Sequence, residues 1–166
     1  MTRYIIFIFL SLIVFSCKND QPTRPESVVR AKKPQVKIPV FSGDNAFANI
    51  EKQLDFGIRV PGTPTHKACK DWLVSEFKNY GAEVIEQDFK ASFLDVKDAA
   101  ATNIIAQFNP DHKDRVLLCA HWDSRLIAEK DEDESMRDKP IMGADDGGSG
   151  VGVFIGNSTV NTRKPD

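Results

Sequence analysis

Sulfur and histidine are scarce in this sequence, with three cysteines (Cys17, Cys69, Cys119) and three histidines (His66, His112, His121) among 166 residues. No C-x-x-C pair occurs, which excludes a sulfur-based zinc site of the usual spacing. An excess of one charge is lacking too. The 22 basic and 24 acidic side chains leave a net charge of −2, so there is no basic excess of the kind that marks a nucleic-acid binder, and no nucleic-acid partner is expected. No apolar run is long enough to cross a bilayer. The nearly all-apolar Tyr4–Phe15 (YIIFIFLSLIVF) would make a helix about 18 Å long, against a hydrocarbon core of about 30 Å. The Gly-rich stretch Gly143–Gly152 lacks the Gly-Lys-Ser/Thr ending of a phosphate loop. It has Val153 where a dinucleotide fingerprint needs glycine, and Val151 breaks the G-x-S-x-G frame around Ser149.

The composition, 41% hydrophobic and 28% charged, suits one globular domain with a core. Arg3, the short apolar run and Phe15-Ser16-Cys17 together read as a signal peptide over residues 1–17. The last three residues resemble a bacterial lipobox, although Val14 and Phe15 are not the preferred residues there. Cys17 is then either lipidated or an incidental cysteine of a secreted protein. Lipidation would make the chain an exported lipoprotein, membrane-anchored on the periplasmic or cell-surface side. Residues 18–43, with Pro22, Pro25, Pro34 and Pro39 and no apolar period, read as a solvated tether. Residues 44–166 are expected to be the folded part. Cys69 lies in a helical pattern and Cys119 in an apolar strand pattern, so two buried free thiols are expected rather than a disulfide.

Ser42 and Asp44 are both good N-cap types. Ala46, Phe47, Ile50 and Leu54 recur at helical spacing, and Gly57 ends that helix. After a loop with two glycines and two prolines, a second helix is predicted from about Thr65, with Cys69, Trp72, Leu73, Phe77 and Tyr80 on one face and Gly81 past its end. Strands follow around Val84–Phe89 and Asn103–Phe108. The continuous apolar run Arg115–Ala120 (RVLLCA) reads as a strand buried on both faces. Asp131–Glu134 (DEDE) reads as a solvated loop. Gly143–Gly152 leads into a helix start, but Gly156–Asn161 (GNSTVN) is a poor continuation. The order is that of an α/β fold. In such folds ligands bind at the carboxyl ends of strands, where His121 stands after Ala120.

His121-Trp122-Asp123 offers an imidazole that can ligate zinc and a carboxylate that can orient it, or simply a structural histidine after a strand. Asp145 and Asp146 sit adjacent among glycines. Such like charges repel unless a cation or a helix N-terminus offsets them, so the pair reads either as a metal site or as an acidic turn capping a helix.

Ala120-His121-Trp122-Asp123-Ser124-Arg125, followed by Lys139–Val153 (KPIMGADDGGSGVGV), resembles the first metal-site region of the M28 zinc peptidases. Within them it is most similar to the bacterial glutaminyl-peptide cyclotransferases. Phe56–Thr63 (FGIRVPGT) and Thr102–Ala106 (TNIIA) resemble the same subgroup. The resemblance implies a zinc-aminopeptidase-like fold, a mixed, mostly parallel sheet flanked by helices, and zinc as cofactor. Asp146 would be a zinc ligand. His121 would be a ligand in the two-zinc aminopeptidases and a close non-ligand in the one-zinc cyclases. Asp123 would support the site from behind, and Asp145 stands where the family usually has asparagine. The family's paired glutamates, a further aspartate and a final histidine have no counterpart here, so a truncated domain with low or no activity is expected. The implied reaction is pyroglutamate formation at peptide or protein N-termini. An aminopeptidase, or a lipoprotein without catalysis, is the alternative.

Overall fold

The computed structural model describes residues 40–161, with side chains through Gly156. The segment read as a signal peptide (1–17), with Cys17, and nearly all of the segment read as a tether (18–43) lie outside the described residues.

Helix α1 spans Gly43–Asp55. Ser42 caps it, accepting the Asn45 amide at 3.2 Å, so one of the helix's unpaired N–H groups is satisfied. The buried face is not the one the large apolar residues suggest. Ala46 and Gln53 are buried while Phe47 is exposed. The reason lies across the interface: α1 packs on a later helix, α3 (Gly150–Asn161), at a point where only small groups fit. A Cβ on Gly152 would fall 2.7 Å from the Ala46 carbonyl oxygen and 2.8 Å from Ile50 Cγ1.

Helix α2, Pro64–Asn79, begins with Thr63 accepting from the His66 amide and with proline at its first position, where a missing N–H costs nothing. It ends as the sequence predicts. The Ala82 amide donates to Phe77 O and the Gly81 amide to Lys78 O, with Gly81 at φ +82°, the left-handed conformation that glycine adopts freely. Cys69 and Leu73 are buried against Val151 and Ile155 of α3, and Trp72, Phe77 and Tyr80 pack around them.

Strands β1 (Glu83–Phe93) and β2 (Val96–Gln107) pair antiparallel. Only Leu94 and Asp95 separate them, and so short a connection cannot make a parallel crossover. The α/β class is as expected, but the sheet among the described residues is this one antiparallel pair, with no parallel neighbour. Arg115–Ala120 departs from expectation as well. It forms no strand, and Val116, Leu117 and Leu118 are 87%, 83% and 60% exposed. An apolar run becomes a buried strand only when neighbours take its backbone groups and both faces are covered, and none of the described residues does so. Cys119 is exposed with it, so of the two thiols expected inside, only Cys69 is buried.

Glu134–Met136 adds a single 3₁₀ turn within the acidic loop. Residues Gly156–Asn161, expected to break the last helix, continue α3 to Asn161. Propensity is a weak prior, and the packing of Val151 and Ile155 into the core holds the preceding turns in place. Among the described residues no helix is long and apolar enough to cross a membrane.

Candidate metal centre

Two loops bring the site together. Residues 121–124 follow the exposed apolar segment, and Ala144–Ser149 forms a wide turn at the start of α3, broken at Asp146 (φ −96°, ψ 95°). The Asp146–Gly147 peptide is cis. Gly147 lies against the first loop so closely that a Cβ there would stand 2.8 Å from His121 Nε2 and 2.8 Å from Cδ2. Only glycine allows this approach.

His121 has a carboxylate at each ring nitrogen. Nδ1 lies 3.1 Å from Asp123 Oδ1, and Nε2 lies 2.6 Å from Asp146 Oδ1. Burial works against the charged ring, but the hydrogen bonds to Asp146 and Asp123, with their charges, outweigh it and hold the His121 pKa above its ordinary value. An ionised carboxylate only accepts, so both contacts are hydrogen bonds only when each ring nitrogen carries a proton, the imidazolium form that the raised pKa favours. The three residues named from the sequence, His121, Asp123 and Asp146, are therefore brought together. Asp145 is not. Its carbonyl oxygen accepts from Ser149 Oγ at 2.6 Å, and its side chain takes no part in the cluster.

Imidazole and carboxylate are the donor types zinc takes, and His121 and Asp146 converge as two such donors. A catalytic zinc takes three protein ligands. Among the described residues no set of three or more His, Cys, Asp or Glu side chains is arranged to hold a metal. The donors fit zinc in kind and fall one short in number.

The cluster opens onto a cavity of about 640 Å³, walled by Phe89, Phe93 and Leu94 of the hairpin and by His66 and Trp122. The His66 ring stacks on Trp122 at 3.9 Å, with 18° between planes, and Trp122 Nε1 donates to Thr102 O at 3.1 Å. Burial pushes the His66 pKa down, with Asp123 opposing and Arg59 adding to the fall.

Sequence reasoning missed Arg59. Its side chain is fully buried, and burial lowers its pKa while Cys69 and Asp123 oppose that. Nε donates to Trp122 O at 3.0 Å, Nη1 to Met142 O at 2.9 Å and Gln53 O at 3.4 Å, and Nη2 to Gly143 O at 2.7 Å. The one signal available was an arginine between Ile58 and Val60, inside a stretch of glycines and prolines.

The profile of Peptidase family M28 matches residues 103–165. No curated protein matches. Solved structures do. A Zn-dependent exopeptidase from Parabacteroides distasonis is 44% identical with a TM-score of 0.74, over 77% of this chain and 44% of that one. Tannerella forsythia glutaminyl cyclase is 44% identical with a TM-score of 0.72, over 75% of this chain and 43% of that one. A leucine aminopeptidase precursor from Bacteroides thetaiotaomicron is 39% identical with a TM-score of 0.74, over 79% of this chain and 46% of that one. The chain thus spans less than half the length of the solved structures it matches.

Proposed function

We propose, from the premise that this chain belongs to peptidase family M28, that its His121–Asp123–Asp146 cluster serves a zinc-dependent glutaminyl-peptide cyclotransferase. The supporting observation is an imidazole held by a carboxylate at each nitrogen, in a chain 44% identical to a glutaminyl cyclase.

The substrate would be a peptide or protein N-terminus that begins with glutamine. Its α-amine attacks the γ-carbonyl carbon, the bond from that carbon to the side-chain nitrogen breaks, and a proton from the amine leaves with that nitrogen as ammonia. Zinc, when bound, would polarise the γ-carbonyl. Asp146 would supply a carboxylate donor to it. Asp123 would fix the ring of His121 through Nδ1, keeping Nε2 aimed at Asp146. The half-exposed His121 faces the cavity, where a peptide end could enter.

Hydrolysis of N-terminal residues is the second reading, favoured by the likeness to the exopeptidase and the leucine aminopeptidase precursor. The two readings separate in one assay. The full chain is incubated with zinc and with two peptides, one starting with glutamine and one with leucine, and the products are weighed by mass spectrometry. Loss of ammonia from the glutamine peptide alone supports the cyclase. Release of the first residue from either peptide supports the aminopeptidase. Zinc binding with both peptides unchanged would favour a chain that binds without turning over.

We also propose export and lipid anchoring through Cys17, on the lipobox-like Phe15-Ser16-Cys17. Metabolic labelling with palmitate, lost in Cys17→Ala, is the expected result. Equal labelling of the variant would overturn it.

A further inference from the structure

We propose that Arg59 is the positioning residue of this centre, a buried clamp that fixes the distance between the His121–Asp123 loop and the Asp146 turn. The observation is where its hydrogen bonds end. One fully buried guanidinium donates to the backbone of three separate segments: Gln53 at the end of α1, Trp122 between His121 and Asp123, and Met142 and Gly143 just before the acidic turn. Its own backbone adds a second tie to the first loop. The Arg59 amide donates to Ser124 Oγ at 2.8 Å, and the Ser124 amide donates back to Arg59 O at 3.1 Å. No carboxylate forms a salt bridge with Arg59 among the described residues, so its charge is met by carbonyl dipoles.

This arrangement needs arginine. A guanidinium offers five N–H groups in a rigid plane, and four of them are used here, each aimed at a different carbonyl. An ammonium is a point with three donors and cannot span the same set. Trp122 is the residue between His121 and Asp123, and Gly143 lies three residues before Asp146. A shift of the clamp therefore moves both sides of the 2.6 Å His121–Asp146 contact. Residues that orient metal ligands from behind cost roughly 10- to 100-fold in metal affinity when altered. The zinc part of this proposal rests on the cyclotransferase reading above, whereas the clamp itself does not.

The test uses the full chain and three variants. Arg59→Lys keeps the charge and loses the fork. Leu73→Ala weakens the core and removes no hydrogen bond of Arg59 or of either loop. Ser124→Ala removes the acceptor of the Arg59 amide and leaves the guanidinium intact. Two quantities are read: zinc affinity by calorimetry on chelator-treated protein, and backbone amide hydrogen exchange. Arg59→Lys is expected to weaken zinc binding on the order of tenfold. It should also speed exchange selectively at the Ser124 and Gly148 amides, both hydrogen-bonded in the native loops, with α2 and the hairpin unchanged. Leu73→Ala should speed exchange broadly and leave zinc affinity as it was.

Uniform exchange in Arg59→Lys with unchanged zinc affinity would make Arg59 merely structural and overturn the proposal. Should the unaltered chain bind no zinc, the cyclotransferase reading falls, and selective or uniform exchange still decides the clamp. Should Arg59→Lys fail to fold, Ser124→Ala decides. Faster exchange at Gly148, in the opposite loop, supports a shared clamp, and an unchanged rate there overturns it.

Discussion

At Gly147 a single hydrogen atom's worth of space separates the turn from the imidazole. The added methyl of Gly147→Ala would stand 2.2 Å from the His121 carbonyl oxygen and 2.8 Å from its Nε2, so the turn must move. A displacement of this kind typically costs about 1–3 kcal/mol. The expected outcome is a folded protein, somewhat less stable by urea melt, whose zinc affinity falls further than its stability. Equal affinity in the variant would show that the turn can retreat without disturbing the ring.

Cys69 gives a second prediction at this scale. Burial pushes its thiol up to about 11 from an ordinary 9.0, with Arg59 pulling the other way. A raised folded-state pKa for a group that is neutral when protonated gives stability that is full below the unfolded value and lost as pH climbs. The contribution of Cys69 to stability should therefore be constant up to about pH 9 and fall by roughly 2–3 kcal/mol toward pH 11. Urea melts at stepped pH check this, and Cys69→Ala should remove most of the decline. By the same burial, a thiol reagent at neutral pH should modify the exposed Cys119 and spare Cys69. That His121, Asp123 and Asp146 come together was legible from the motif that carries them, whereas their donor types alone left a structural histidine and an acidic turn open. Arg59 was not legible, because its partners are carbonyls up to 84 positions away, and backbone acceptors leave no mark on a sequence.

At the scale of elements, the helix ends were the most legible part. Ser42, Gly57 and Gly81 act over one turn of chain, so their meaning is local and survives in any fold. The failures were of the opposite kind. Phe47 was placed on a buried face by its spacing, yet the close approach of α3 left room only for Ala46. Gly156–Asn161 looked like a helix breaker, yet it extends a helix whose earlier turns are anchored by Val151 and Ile155. In both cases contacts distant in sequence overrode the local pattern. The α1–α3 contact is itself testable. Gly152→Val would drive side-chain atoms into Ala46 O and Ile50, and a loss of about 1–3 kcal/mol or more is expected, read as a lower melting temperature. By contrast, Ser42→Ala should cost about 1 kcal/mol through the lost cap alone. Equal melting temperatures for Gly152→Val and the parent would mean that the two helices are not in close contact in solution.

For the whole molecule, the exposed apolar run Val116–Leu118 sets the behaviour in solution. Three large side chains, each 60% exposed or more, beside a groove lined by Leu73, Phe77 and Ile104, make a patch of the kind that drives association. The full chain is expected to self-associate with rising concentration by light scattering, and Leu117→Lys to reduce this without changing the far-UV spectrum. Unchanged association in the variant would place the sticky surface elsewhere. The α/β class was legible at this scale, while the state of residues 115–120 was not, because burial depends on what lies alongside a segment. The clamp has one more consequence, for how the sequence can drift. Every acceptor of the Arg59 guanidinium is main chain, so Met142 could be exchanged for many residues without touching the bond it accepts, whereas Gly143 is held by space, since a Cβ there would stand 3.1 Å from Arg59 Nη2. Position 59 has no such freedom. A saturation library should show this as lopsided tolerance, near-intolerance at one residue and latitude at Met142, with the shape of the site entrusted to a single codon.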